Sequence, residues 1–130
     1  MSGFSGGSSG FPSGAWTPYT ATATPASGAI TTQSSSSAYL VVGKTVFVRI
    51  AVTISNVGTA SGNPSINLPP GMTLAGVTTL VGREAGVGGN LLQGVGGAGA
   101  SGLQIFNYNN STVSWANGIQ LTLDGVFERQ

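Results

Sequence analysis

Residues 45–55 alternate with a period of two. Val46, Val48, Ile50, Val52 and Ile54 share one parity, and all are β-branched. Phe47, Arg49, Ala51 and Thr53 share the other. Successive side chains of a strand point to opposite faces. The pattern therefore predicts a strand with its first set in a core and its second on a mixed, partly accessible face. Residues 119–127 repeat the device, with Ile119, Leu121, Leu123 and Phe127 on one face. Shorter strands are expected at residues 16–24, 29–36, 65–68, 77–83 and 103–108. Turn signals separate them: the polar run 56–63, Pro69-Pro70-Gly71, and Asn109-Asn110-Ser111-Thr112. Residues 82–102 read as a glycine-rich stretch with Leu91-Leu92 inside it. A 3.6-residue period is missing, and glycine is too frequent for a helix. Many short strands with turns between them predict an all-β fold, an antiparallel β-sandwich of jelly-roll type spanning residues 16–130. Residues 1–15 are rich in Gly and Ser, a composition that predicts a flexible N-terminal arm. Phe4, Phe11 and Pro12 are its candidate anchors, because a pure linker has no use for aromatics.

Charge changes the picture next. Charged residues make up 5% of the 130, against roughly a quarter in an average soluble domain. Sheet edges are usually guarded by Lys, Glu or Pro, and this chain has one Lys. Its edges and apolar patches are expected to be covered by something else, most simply another copy of the chain. Four cations spread along 130 residues make no basic stripe, so nucleic acid is not an expected partner. No run of about 20 apolar residues exists to cross a bilayer, so no membrane partner is expected. The N-terminus carries no basic segment and no apolar segment of a secretory signal.

The chemical inventory is short. The chain has no Cys and no His. Disulfides, Cys- or His-liganded zinc and hydrolysis through a histidine base are excluded. The carboxylates are Glu84, Asp124 and Glu128. A glycosidase needs two carboxylates roughly 5–9.5 Å apart. Asp124 and Glu128 would lie about 13 Å apart on one face of a strand, unless a bulge at Gly125 shortens the gap. The expectation is no enzyme and no cofactor. Gly43-Lys44-Thr45 ends like a phosphate-binding loop, but the required first glycine is Ala38 and a β pattern follows. Gly94-Val95-Gly96-Gly97-Ala98-Gly99 matches a dinucleotide fingerprint with no helix after it. Both are rejected. The sequons at Asn109 and Asn110 read as turn residues.

A resemblance rests on several segments in order. These are Trp16-Thr17-Pro18, Lys44-Thr45-Val46-Phe47-Val48 and Leu68-Pro69-Pro70-Gly71. They continue with Gly82-Arg83-Glu84-Ala85-Gly86-Val87, Leu91-Leu92-Gln93-Gly94 and Ala116-Asn117-Gly118. The chain from Trp16 onward resembles the trimeric β-sandwich module of bacteriophage capsid decoration (cement) proteins and of the distal domains of tail fibres and tailspikes. The resemblance implies a homotrimer in the virion and brings no catalytic residues with it. The chain contains no coiled coil, collagen-like repeat or shaft of a whole tail fibre. This favours a decoration protein on the outer capsid surface, with the major capsid protein as partner. The alternative is a receptor-binding module for a host surface glycan or protein, with Tyr19, Tyr39, Tyr108 and Trp115 as candidates to stack on sugars. Packing is the commoner use of Trp16 and Trp115. Phe47, Arg49, Arg83 and Glu84 are candidate subunit-interface residues. Arg83 and Glu84 are adjacent, so on a strand they face opposite ways. Each is as readily a contact that organises the glycine-rich loop.

Overall fold

A computed structural model describes residues 16–130. Phe4, Phe11 and Pro12 of the expected arm lie outside the described residues. The alternating run 45–55 forms the longest strand. In chain order the strands are β1 (Thr17–Tyr19), β2 (Ala23–Thr24), β3 (Thr32–Ser35), β4 (Ser37–Val42), β5 (Thr45–Asn56), β6 (Ser65–Asn67), β7 (Thr78–Glu84), β8 (Leu91–Gly96), β9 (Gly102–Asn107) and β10 (Ile119–Glu128). Every pairing is antiparallel, and no helix forms among the described residues. The expected all-β antiparallel fold is present. Its strands join in one curled sheet of order β1-β4-β5-β10-β7-β8-β9-β6-β2, with β3 also on β5.

β5 and β10 are the spine. They pair without a break from Ile119 opposite Ile54 to Glu128 opposite Thr45. Both turn their apolar parity inward. Val46, Val48, Ile50, Val52 and Ile54 are buried, as are Ile119, Leu121, Leu123 and Phe127. Each such side chain contributes about 1.5–3 kcal/mol when fully buried. The core continues into Leu80, Leu92, Leu103 and Ile105 on β7, β8 and β9.

The rejected phosphate-loop segment is a hairpin turn. Val42 pairs with Thr45, leaving Gly43-Lys44 as the two-residue loop. Gly43 has φ +63°, which suits the first position of a two-residue hairpin turn. Beyond the turn β4 and β3 continue one register along β5, linked by the Ser36 N–H donating to Ala51 O at 2.8 Å.

Two elements differ from the sequence reading. The strand expected at 16–24 splits in two. β1 pairs with β4 at one end of the sheet, and β2 pairs with β6 at the other. Only residues 20–22 separate them. Polar side chains stitch this seam. Asn67 Oδ1 accepts from Thr22 N–H at 2.6 Å, Ser35 Oγ from Ala21 N–H at 3.0 Å, and Gln33 Oε1 from Ala23 N–H at 2.9 Å. These side chains tie the two ends of the sheet to each other from within the chain. The glycine-rich stretch also contains a whole strand, β8. A Cβ at Gly94 would come within 3.0 Å of Leu123 Cδ1 and 3.2 Å of Ile105 Cδ1. Glycine there makes room for side chains of β9 and, across the core, β10.

Candidate functional site

The inward parity is consumed by the core, so interaction chemistry is confined to the outward parity and the turns. On the outward face Arg49 of β5 lies opposite Asp124 of β10, which lies opposite Val81 of β7. One row along, Phe47 lies opposite Val126. On the other side Thr122 lies opposite Arg83, which lies opposite Leu91 of β8. Val81 is 66% exposed and Leu91 60%. Phe47, Val126 and, at the end of β4, Val42 are also exposed. Five of the eight large apolar side chains exposed in the described chain therefore share one sheet face. Single exposed apolar residues need no explanation, whereas a concentration on one face does.

The same face has an irregular border. β10 pairs with Val81 at Asp124, and Arg129 bridges to Leu74. Seven steps on one strand match five on the other, so two extra residues bulge out before β7. Val77 sits in that bulge, 90% exposed. Between Val81, Leu91 and Tyr108, with Gln93 and Asp124 as polar members, runs an open groove of about 590 Å³.

The sequence-designated residues fall into distinct places. Phe47, Arg49 and Arg83 lie on the outward parity. The Trp16 ring lies over the Arg49 guanidinium at 4.7 Å, a cation–π contact on that face. Glu84 points inward and is 5% exposed, on the opposite parity to Arg83. Its Oε2 accepts N–H bonds from Gly86 at 2.6 Å, Val87 at 3.0 Å and Gln120 at 2.9 Å. Its Oε1 accepts from Val87, Gly88 and Gly89. One carboxylate thus gathers four successive backbone donors of the 85–90 turn and ties them to β10. Burial pushes the Glu84 pKa up. The N–H donors of Gln120, Gly88, Gly86 and Val87 outweigh that and hold it at about 2, well below the ordinary 4.5. Arg83 lies against the same turn, since a Cβ at Gly89 would come within 3.3 Å of its Nη2. Glu84 is the member of the Arg83-Glu84 pair whose hydrogen bonds organise the glycine-rich loop.

The aromatic candidates separate as well. Tyr19 and Tyr39 pack against the core and against each other, edge to face, with centroids 5.8 Å apart. The Tyr19 hydroxyl donates to Asn67 O at 3.2 Å, and burial raises its pKa. Trp115 also packs on the core and donates its Nε1–H to Gly62 O at 2.8 Å. Tyr108, at 68% exposure, is the member of the four that stands free for stacking. The three carboxylates do not converge on one face. Asp124 and Glu128 are exposed and Glu84 faces the interior. The β5–β10 register runs unbroken through Gly125, so no bulge in that ladder brings Asp124 toward Glu128.

The sequence reading did not single out Val81, Leu91 or Val126. In β7 each parity carries one charge, Arg83 outward and Glu84 inward, so charge did not mark the solvent side. Leu91 was hidden by the glycines around it. No family model, no curated protein and no solved structure matches the chain.

Proposed function

We propose that the chain is a virion structural protein, a trimeric decoration (cement) protein on the outer surface of a phage head. The observation that carries this reading is the exposed apolar face of β5, β10, β7 and β8 in a chain with 5% charged residues. A surface of that kind gains free energy by being covered, about 25 cal/mol per Å² of apolar area. The resemblance of the ordered segments from Trp16 onward adds the trimer and the phage context. The constellations the chemistry would need are not assembled by the three carboxylates, which supports a structural role over catalysis. In this reading Phe4, Phe11 and Pro12 anchor the protein to the major capsid protein. Deleting residues 1–14 should then leave a folded trimer that no longer binds particles. Decoration of heads by the truncated protein at the level of the full chain would refute the anchoring role.

A second reading has its own observation. Tyr108 stands exposed beside Gln93 and Asp124 in an open groove, an arrangement suited to stacking on a sugar while polar groups bind its hydroxyls. It corresponds to a receptor-binding tail-fibre or tailspike module for a host surface glycan or protein. Co-sedimentation separates the two. The decoration reading predicts stoichiometric pelleting with undecorated heads. Pelleting with host cells or their polysaccharide, and not with heads, would favour the receptor reading.

A further inference from the structure

We propose that the outward face of β4, β5, β10, β7 and β8 is the subunit interface, and that its occupant is a second copy of this chain. The inference rests on the self-association in the proposed function and adds the surface that performs it.

Size is the first argument. The five strands differ in length, from 6 residues in β4 and β8 to 12 in β5. At about 3.3 Å per residue and about 4.8 Å spacing they present roughly 650 Å² in projection, near the ~600 Å² per partner at the lower end of stable interfaces. Phe47, Val81, Leu91 and Val126 stand exposed on it, around the Arg49–Asp124 pair of the middle strands. Burying these apolar side chains favours association.

Charge is the second argument. Arg49 lies directly opposite Asp124, and Arg83 lies one strand to its other side and two residues along, opposite Thr122. The face thus carries both signs in a +/−/+ order. Around a three-fold axis each copy turns this face to two neighbours, and an offset of one strand sets a cation of one copy against Asp124 of the next. A partner of one strong charge sign gains nothing from that order, whereas a second copy brings the complement with it. Glu84 takes no part, because its carboxylate is committed inside.

The test uses the full chain and three variants. Val81→Asp and Leu91→Asp place a charge on the face, at side chains already in solvent. Gly97→Asp places the same charge in a loop where an added Cβ meets nothing within 4 Å. Mass is read by light scattering after size exclusion, with circular dichroism and thermal melts to confirm folding. The expected result is a wild type and G97D of three chain masses, with folded V81D and L91D of one. Folded V81D and L91D that remain trimeric would overturn this surface and leave the trimer standing. A wild type of one chain mass would overturn both. Monomeric variants of a trimer that ignores phage heads would support the surface and remove the capsid reading.

Discussion

Replacing Glu84 with glutamine removes one charge and turns one oxygen of a five-donor site into an NH2 group. Each carboxylate oxygen of Glu84 receives three backbone N–H bonds. In the variant the three on the lost oxygen face another donor, and Val87 alone keeps a bond to the remaining one. A lost hydrogen bond is worth about 1 kcal/mol, so the loss is on the order of 3 kcal/mol. The pKa gives a second route to the same figure. The folded value of about 2 lies some 2.5 units below 4.5, and each unit is about 1.4 kcal/mol, again on the order of 3 kcal/mol. The folded pKa is the lower one. The stabilisation is therefore fully present above about pH 4.5 and is lost as the pH falls from there to about 2. Urea unfolding followed by the fluorescence of Trp16 and Trp115 measures this at pH 7, 5, 4, 3 and 2. The E84Q variant should be less stable than wild type by about 3 kcal/mol at pH 7. The gap should shrink through the window from pH 4.5 to 2. Equal stability at pH 7, or a gap that does not change with pH, would refute the account of this carboxylate.

Further outcomes are expected elsewhere. Gly82→Ala places a Cβ onto the Thr122 carbonyl oxygen of the paired strand, backbone that cannot step aside. A loss of about 3 kcal/mol or more in urea unfolding is predicted, in the range of severe core changes, and an unchanged midpoint would contradict the close approach of β7 and β10. Gly94→Val crowds Leu123 and Ile105 and should lose about 1–3 kcal/mol by overpacking, read by the same titration. Tyr108→Ala removes an exposed ring and should leave the melting temperature within a degree or two. If the receptor reading holds, the same variant loses glycan binding on an array. Trp16→Ala removes the cation–π contact with the exposed Arg49, worth about 0.5–1 kcal/mol, so only a small drop in stability is expected.

The spine of the fold was legible because β5 and β10 alternate strictly and their apolar parity is β-branched or leucine. The same parity argument placed Phe47 and Arg49 on the outward face. β8 was not legible, because Gly94 and Gly96 occupy inward positions and carry no hydrophobic signal. Its core contribution comes from Leu92 and from neighbours that fill the space above the glycines. The 16–24 segment was read as one strand because its alternation is continuous. Its pairing changes sides at residues 20–22, a property of the curled sheet and not of the local pattern. The role of Glu84 was open in sequence, since a glutamate beside glycines reads equally as a surface charge. Only the convergence of the 86–89 and Gln120 donors distinguishes it. The apolar outward face needed the register of five strands before its members could be seen together.

The central claim is self-association as a head-bound trimer. Its most direct measurement is light scattering of the purified chain after size exclusion, followed by sedimentation with undecorated phage heads. The account predicts a species of three chain masses that pellets with heads in stoichiometric amount. A species of one chain mass that stays in the supernatant would contradict it.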